Sequence, residues 1–407
     1  MGIRRAPGAG KLIALPLIIS GLFAPAARAQ ISDTIQPYVS AGYSYDDNLL
    51  RADNTRDKDA AGSDTYTTLV AGFRAERPIG RQVVTASASA SKVAFDKNTA
   101  LDYTGKDAAA EWLWRLGNQF SGHAGVKYSE SLASFADFNN SSSQRNLRTD
   151  NRRYVDGNWL FHPSWQVHAG YTSERFGFDT PAQAYNNRTE KAAEAGFDYI
   201  ASSGSTFGLV ARQLKGDYDN LGTNPVTGAV IDNGYKQDEI KVNVTWLASG
   251  VTQVIFLGGW VKRRHDTESV RDDSGVNGRL IVNWAVLAQT QFNAMLWREF
   301  GAAEGTVVNS ALSTGQSVGF KWTPTSKLSF NGQLKNEKRD FEPLSGVTNL
   351  TGLSDESRTA SLGGTYQVAR QVALSLNGFA TRRDGSAAAR TSSFRAKGIS
   401  FNASVEF

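Results

Sequence analysis

The stretch Ile-Ser-Phe-Asn-Ala-Ser-Val-Glu-Phe, residues 399–407, ends the chain in strict alternation of apolar and polar residues. Successive side chains of a β-strand point to opposite faces, so this stretch predicts a strand with one apolar and one polar face. Chain termini usually fray, and a fully patterned last strand is therefore unusual in a soluble protein. A closed β-barrel must pair its last strand with its first. The stretch thus points to a barrel in which Phe401, Val405 and Phe407 close the wall.

The other end of the chain has the layout of a secretory signal peptide. Basic residues precede an apolar run over residues 12–23, and a small-x-small cleavage site at 27–29 precedes Gln30. The apolar run is too short to span a membrane, and it contains Pro16. We therefore expect residues 1–29 to be a cleaved signal peptide and residues 30–407 to form the exported domain.

The leader also accounts for most of the positive charge. The full chain has a formal charge of +5, and because the leader holds four basic residues and no acidic one, the remainder carries +1. A nearly neutral chain gives little reason to expect nucleic-acid binding. Cysteine is absent, and the four histidines are scattered without metal-ligand spacing. We expect no disulfide, no metal site and no cofactor.

Segments of about ten residues with alternating hydrophobicity recur along the chain and predict an all-β protein. Only 40% of the residues are hydrophobic, which fits either a soluble exported β-protein or a transmembrane barrel with a polar interior. The segments number about 18, with 16 as the alternative. The predicted strands are residues 36–45, 65–77, 82–95, 103–116, 119–131, 151–161, 165–175, 189–199, 206–217, 236–247, 253–264, 275–284, 289–300, 311–322, 328–338, 358–368, 372–381 and 396–407.

The connections between these segments alternate between short and long. Short turns are predicted near residues 78–80, 117–118, 162–164, 201–204, 248–251, 323–327 and 369–371. Long polar gaps lie at 46–64, 133–150, 176–188, 218–235 and 340–357, with shorter ones at 96–102, 265–274, 301–310 and 382–391. A soluble sandwich has no reason for this regularity. A transmembrane antiparallel up-and-down β-barrel has short periplasmic turns and long extracellular loops, and this is the fold class that we predict.

Tryptophans provide a second pattern. Five of them lie next to short turns, and two lie towards the long gaps. Two bands at opposite strand ends are typical of the aromatic girdles of membrane interfaces, with ordinary core tryptophans as the alternative. The first band comprises Trp159, Trp165, Trp246, Trp284 and Trp322, and the second comprises Trp260 and Trp297.

The alternation assigns a set of polar side chains to the inside of the barrel. About 18 strands enclose an aqueous lumen, and the mixture of charged, amide and aromatic groups suits hydroxyl-rich chains, although it also lines general porins. His123 and His168 have serine neighbours but no acid near them in the sequence, so we do not expect an enzyme. The candidate lumen-lining residues are Glu111, Arg115, Tyr154, Asn158, Glu239, Lys241, Asn243, Arg279, Asn283, Asn293, Asn331 and Gln333.

The segment Tyr-Ser-Tyr-Asp-Asp-Asn-Leu-Leu-Arg, residues 43–51, is the most specific local motif. Its acidic residues either turn the chain through side-chain-to-backbone hydrogen bonds or help to hold a calcium ion. Together with the leader, the strand spacing and the terminal Phe407, this motif resembles a family of β-barrel porins. It is especially similar to the outer-membrane proteins of exosortase-associated exopolysaccharide operons, known as EpsL.

The resemblance implies passage or anchoring of a polysaccharide at the outer membrane of a Gram-negative bacterium, and it supplies no catalytic residues. The partners that it implies are outer-membrane lipid, the barrel assembly machinery acting through the last strand, the polysaccharide and periplasmic export proteins. Two alternatives stay open, namely a general diffusion porin for small solutes and a non-transporting structural or adhesive barrel.

Overall fold

In the described part of the chain, eighteen long strands run antiparallel to their neighbours and form one continuous sheet. The structure is a computed structural model that describes residues 34–55, 62–136, 144–223, 228–267, 269–303, 308, 310–342 and 352–407. The wall strands are β1 Ile35–Asp46, β2 Asp64–Ile79, β3 Gln82–Phe95, β4 Tyr103–Leu116, β5 Phe120–Leu132, β6 Leu147–His162, β7 Trp165–Phe178, β8 Arg188–Ile200, β9 Thr206–Tyr218, β12 Tyr235–Ser249, β13 Thr252–His265, β14 Asp273–Leu287, β15 Thr290–Ala302, β16 Ser310–Trp322, β17 Leu328–Phe341, β18 Ser354–Gln367, β19 Val372–Asp384 and β20 Phe394–Glu406, and a small hairpin of β10 Gly222–Thr223 and β11 Val230–Ile231 lies between β9 and β12.

The sheet closes because its last strand pairs with its first. β20 runs antiparallel to β1 with Tyr38 opposite Glu406 and Asp46 opposite Gly398. The Phe407 amide also donates a hydrogen bond of 2.9 Å to the Pro37 carbonyl, just beyond the paired residues. Closure removes the unpaired edges that an open sheet would expose. The predicted fold class is confirmed, with 18 strands and not 16.

Each strand presents an apolar face outwards and a polar face inwards, as the two-residue period requires. In β12 the outward Ile240 and Trp246 are 69% and 50% exposed, whereas Glu239, which directly precedes Ile240, is 3% exposed. The outer surface is therefore a continuous apolar band, and burial of charge is confined to the inside. This arrangement, together with the closed sheet, makes the chain an outer-membrane β-barrel.

The two ends of the barrel differ. One end carries tight connections, and in two of these Gly80 and Gly117 have positive φ angles of 62° and 60°, which favour glycine. The other end carries the long connections, which include three short 3₁₀ helices at Thr99–Leu101, Pro181–Asn186 and Ser269–Arg271. We call them the periplasmic end and the extracellular end, because short turns are periplasmic in this class. Among the described residues, no helix has the length and apolar character that crossing a membrane requires.

The buried apolar clusters lie at the extracellular end. One contains Val93, Phe95 and Leu101, with Leu49 and Phe135 packed against it from two other connections. A second contains Ala303, Val308, Ala311, Phe341 and Ala389, which come from three successive connections and their strand ends. The loops therefore pack on one another over this end of the barrel, and the apolar core of the protein sits there.

The periplasmic end carries the predicted aromatic band on the outer face. Trp165 stacks on Phe197 with ring centroids 5.0 Å apart, and Trp322 stacks on Phe330 at 5.5 Å. Aromatic rings of this kind are favoured where the hydrocarbon meets the headgroups.

One tryptophan of the second band was assigned to the wrong face. Trp260 faces outwards and is 57% exposed, but Trp297 is 4% exposed and lies on the inner face, opposite Gly315 in the register. Its indole Nε1 donates to Ser313 Oγ at 3.0 Å, and the Lys335 ammonium lies 5.4 Å from the ring centroid. Gly315, which has no side chain, leaves the space that the indole occupies.

The barrel comprises Thr34–Phe407 as one compact unit. The predicted signal peptide, residues 1–29, lies outside the described residues, and so do the central parts of several of the predicted long loops. The division of the chain at residue 29 therefore stays a prediction.

Candidate functional site on the inner wall

The structure places the twelve candidate lumen-lining residues on the inner face, at positions that alternate with outward apolar residues. They are distributed around the wall on six strands and do not converge on one point. By strand they are Glu111 and Arg115 on β4, Tyr154 and Asn158 on β6, Glu239, Lys241 and Asn243 on β12, Arg279 and Asn283 on β14, Asn293 on β15, and Asn331 and Gln333 on β17.

Glu111 and Tyr154 meet across the strand that separates them. They lie in one register row with Gly125 of β5 between them. The Tyr154 hydroxyl donates to a Glu111 carboxylate oxygen, and its ring crosses the place where a side chain at residue 125 would stand. The absence of a Cβ at Gly125 thus permits the contact. Arg115 and Asn158 lie closer to the periplasmic end of the same strands.

The inward residues of β12 form a connected row of polar groups. The Lys241 ammonium lies 2.5 Å from a Glu239 carboxylate oxygen, and both side chains are nearly buried. Asn243 donates to Asp198 of β8 at 3.0 Å, and the same carboxylate lies 2.9 Å from His168 Nδ1. The charges of this part of the wall are therefore balanced locally.

Both histidines that the sequence singled out have acidic partners in the structure. His168 pairs with Asp198, and His123 Nδ1 lies 3.0 Å from Asp156 of the neighbouring strand. Cross-strand pairing supplies these acids, which are distant in the sequence. Within the described residues, no cluster of three histidine, aspartate or glutamate side chains is arranged to hold a metal ion.

Amide side chains lie together on β13, β14 and β15. Asn283 donates to Gln253 Oε1 at 3.3 Å, and Asn293 donates to Asn283 Oδ1 at 2.7 Å. Further from the periplasmic end on the same strands, Arg279 forms an ion pair of 2.5 Å with Glu299. The charged pair and the amides therefore occupy different heights of the wall.

The inward face of β17 also has amides near the periplasmic end and a charged pair further from it. Asn331 and Gln333 lie towards the periplasmic end, and Lys335 and Glu337 form an ion pair of 2.8 Å above them. Asn331 faces Asn377 of β19 across Gly363, where an added side chain would lie 2.9 Å from Asn331 Oδ1. Amide groups thus continue around the wall towards the closing strands.

A buried ion cluster at the extracellular end was not expected from the sequence. Arg339 of β17 binds Asp355 of β18 through two hydrogen bonds of 3.0 and 2.8 Å, and Arg383 of β19 binds the same carboxylate. Arg383 also donates to the carbonyl of Ala136, in the connection after β5. Residues 133–136 therefore reach across the barrel end to the wall on the far side. No local sequence signal marks such a contact, because its partners are 247 residues apart.

Arg263 of β13 joins β12 to the adjoining ends of β15 and β16 at this end. It is 1% exposed, and its guanidinium donates to Gln237, to Ser310 Oγ and to the Gly301 carbonyl at 2.8, 3.1 and 3.2 Å. Glu342 lies nearby in the connection after β17. Burial raises the pKa of the Glu342 carboxyl above its ordinary value, although Arg263 acts in the opposite direction. At the extracellular end, Arg383 thus holds residues 133–136 to the wall, and Arg263 holds neighbouring strand ends together.

The motif at the end of β1 is a turn. Asp46 accepts a hydrogen bond of 2.9 Å from the Asn48 amide and binds the Arg51 guanidinium at 2.8 Å. Asn48 is fully buried and donates to the carbonyls of Ala52 and Arg395. The side-chain-to-backbone interpretation of residues 43–51 is confirmed, and the Asp46 carboxylate is engaged by a cation of the protein itself.

The residues of the closing strand lie where a barrel terminus requires them. Phe401 faces outwards and is 47% exposed, and Val405 lies on the same face of β20. Phe407 is 67% exposed at the periplasmic end, next to an ion pair of 2.7 Å between Arg74 and Glu406. The aromatic terminus is therefore accessible from the periplasmic end.

Comparison with known proteins agrees with the fold. Residues 237–407, less than half of the chain, match the family model described as "Putative beta-barrel porin 2". No curated protein matches the chain. Among solved structures, OccAB3 of Acinetobacter baumannii aligns at 8% identity over 93% of this chain and 100% of that chain, with a TM-score of 0.47.

Two proteins of Pseudomonas aeruginosa align similarly. The outer-membrane protein OpdK has 12% identity over 92% of this chain and 98% of its own, with a TM-score of 0.47. OccK2 (OpdF) has 11% identity over the same shares, with a TM-score of 0.48. Identities and scores this low carry no information about substrate, so the function has to be argued from the wall of this barrel.

Proposed function

We propose, on the premise that this chain is an outer-membrane β-barrel of porin-like fold, that it is a non-catalytic pore through which exopolysaccharide leaves the cell. One observation carries the proposal. From β8 to β19 the ionic groups of the inner wall are mostly paired with each other, and amide side chains lie beside them, nearer the periplasmic end.

The pairing is seen on several strands. Glu239 binds Lys241, and Arg279 binds Glu299. Paired charges present a weak field to a small ion, because each charge is compensated within a few ångströms. Amides and hydroxyls both donate and accept hydrogen bonds, as sugar hydroxyls do. A wall of this kind favours a hydroxyl-rich chain over a free ion.

The resemblance of the chain to EpsL proteins supports the same role. In this proposal the polysaccharide is delivered by periplasmic export proteins, enters at the end that carries short turns, and leaves past the long loops. The barrel assembly machinery places the protein in the membrane by recognising its last strand.

A general diffusion porin is the second candidate, because residues 237–407 match a porin family model. A non-transporting structural barrel is the third, because residues 133–136 cross the extracellular end and are held there by Arg383. The three candidates differ in what purified protein conducts and in what a deletion strain secretes.

The test deletes the gene and restores it in the same strain, with secreted and periplasmic polysaccharide quantified separately. The proposal expects secretion to fall, polysaccharide to accumulate in the periplasm, and the restored gene to reverse both. Unchanged secretion together with salt-conducting, sugar-indifferent channels in planar bilayers would instead establish a general porin. Unchanged secretion without conductance would establish a structural barrel.

A further inference from the structure

Four amide side chains of the inner wall lie in one register row from β13 to β17, interrupted only at Gly319. Gln253, Asn283 and Asn293 occupy directly paired positions on β13, β14 and β15. The row continues through Gly319 of β16 to Gln333 of β17. Neighbouring strands are about 4.8 Å apart, so four strand intervals give a row of about 19 Å. We call these five residues the amide row.

The hydrogen bonds within the row leave groups free for a ligand. Asn293 donates to Asn283, and Asn283 donates to Gln253, so each of these amides uses only part of its capacity. A carboxamide has two donor hydrogens and an acceptor oxygen. Within the described part of the chain, no hydrogen bond occupies the Gln333 amide. The row therefore offers donors and acceptors side by side.

A cavity of about 570 Å³ lies against this row at the periplasmic end. Its lining includes all five residues of the amide row together with Lys321, which is the only charged residue among the described residues that line it. Gly319 has no side chain, and this leaves a recess between Asn293 and Gln333. Its lining also includes the outward-facing Trp284 and Phe292, so the cavity extends from this recess over the periplasmic rim of the wall.

The position of the carboxylates makes the chemistry of this recess specific. Glu299 and Glu337 are on β15 and β17, but they lie further towards the extracellular end and each pairs with a basic residue. A ligand in the recess therefore meets amides without any carboxylate. Lys321 lies one inward position closer to the periplasmic turn. Moving an uncharged ligand from water into this recess costs little free energy, because the amides replace its hydrogen bonds to water. A charged ligand would need an ionic partner to offset its loss of hydration.

We propose that the amide row is a binding site for uncharged, hydroxyl-rich saccharide, which meets the pore on this side of the wall. The inference rests on the proposed function, since a polysaccharide pore is what brings saccharide to this recess. Each amide of the row contributes hydrogen bonds of modest net strength. A row of similar weak contacts lets a saccharide chain move from one amide to the next. Conduction requires binding of this kind, which is weak and repeated at successive sites. Because strands of a closed barrel are tilted, the row runs obliquely up the wall.

The test measures saccharide binding directly, without relying on transport. Full-length protein in detergent micelles is titrated calorimetrically with maltohexaose as the neutral probe and with a galacturonic acid hexamer as the acidic probe. The wild-type protein is expected to bind maltohexaose at least tenfold more tightly than the acidic hexamer. The double variant Asn283→Asp with Asn293→Asp keeps the side-chain shapes and replaces donors with negative acceptors. It is expected to weaken maltohexaose binding at least tenfold.

Two further variants separate a local effect from loss of folding. Asn118→Asp makes the same change in the turn between β4 and β5, away from the lumen wall, and should leave maltohexaose binding unaltered. The single variant Gln333→Glu should weaken binding about threefold, which corresponds to a fraction of one hydrogen bond. Compact migration of unboiled protein on gels checks that each variant is folded.

Three results would overturn the site. The first is that the wild-type protein does not bind maltohexaose. The second is that the double variant binds maltohexaose as tightly as the wild-type protein does. The third is that the wild-type protein prefers the acidic hexamer and that this preference disappears in the Lys321→Gln variant. The outcome is separate from that of the secretion test. If saccharide binds at the row while a deletion strain secretes normally, the site stands and the export function fails. If secretion is lost but maltohexaose does not bind, export stands and the site fails.

Discussion

Single residues on the inner wall show that glycine positions decide which side chains meet. Gly125 is required where Tyr154 crosses β5 to reach Glu111, because a Cβ there would lie 2.5 Å from the Tyr154 hydroxyl. Gly170 of β7 is a contrast. A Cβ at Gly170 would have no neighbour closer than 3.5 Å, which is ordinary contact. Two glycines on similar strands therefore have different consequences when they are replaced.

The first prediction compares these two glycines. Gly125→Ala should lower the free energy of unfolding by about 1–3 kcal/mol, since the tyrosine must move and its hydrogen bond to Glu111 is lost. Gly170→Ala should change it by less than about 0.5 kcal/mol. Urea unfolding of refolded protein, followed by tryptophan fluorescence, measures both. Equal midpoints for the two variants would show that the Tyr154–Glu111 contact is unimportant.

The terminal residue gives a second prediction at this scale. Deleting Phe407 should reduce the amount of protein assembled in the outer membrane several-fold, because it removes an exposed aromatic group and the hydrogen bond to Pro37. Transport by the molecules that do assemble should change much less. Phe407→Tyr keeps the aromatic ring and should assemble normally. Equal outer-membrane levels with and without Phe407 would remove the special role of this residue.

At the scale of elements, strands with clear alternation and clear turns were predictable in detail. Residues 82–95 and 103–116 were predicted as strands with the bounds that β3 and β4 have in the structure. The prediction for β6 began at residue 151, whereas the strand begins at Leu147. The first residues of β6 are nearly all polar, so no alternation marks where the strand leaves the membrane. The small hairpin of β10 and β11 was not predicted because each of its strands has only two residues, too few to show an alternation.

The contacts between loops were not predictable from the sequence. The Arg383–Ala136 hydrogen bond joins elements that are far apart in the chain and also separated along the sheet. Trp297 was assigned to the membrane interface because tryptophan is common there, but the register with Gly315 places it inside. The two-residue period from the inward Asn293 also places Trp297 on the inner face, so of these two cases only the loop contact lacks a signal within its own segment.

The ion cluster at the extracellular end yields the third prediction. Arg383→Ala should lower the free energy of unfolding by about 3 kcal/mol, because the buried Asp355 loses one of its two cationic partners. It also releases residues 133–136 from the far wall, and we expect larger and noisier single-channel currents in planar bilayers. Arg382→Ala is the matched control, since Arg382 is on the outer face and pairs with Asp384 at the surface. Currents that are the same in both variants would show that residues 133–136 do not narrow the pore.

At the scale of the whole molecule, the proposed export function requires the polysaccharide to pass through the lumen. The closed wall and its two faces are established by the strand pairing, and they were foreseen from the alternation of residues and of loop lengths. The cargo was inferred from a family resemblance and from the chemistry of the inner wall. A direct test must therefore block the lumen while leaving the barrel in place.

The absence of cysteine makes such a test clean, because an introduced thiol is then the only one in the chain. Ser361 and Leu362 are neighbours on β18, one on the inner face opposite Gln333 and the other 61% exposed on the outer face. Ser361→Cys and Leu362→Cys are each introduced into the deletion strain and treated with a bulky water-soluble maleimide. Secreted polysaccharide is measured against the extent of labelling. We predict that secretion falls in proportion to labelling of the Ser361→Cys variant and is unchanged in the Leu362→Cys variant. Normal secretion through fully labelled Ser361→Cys protein would contradict the proposal that the polysaccharide passes through this barrel.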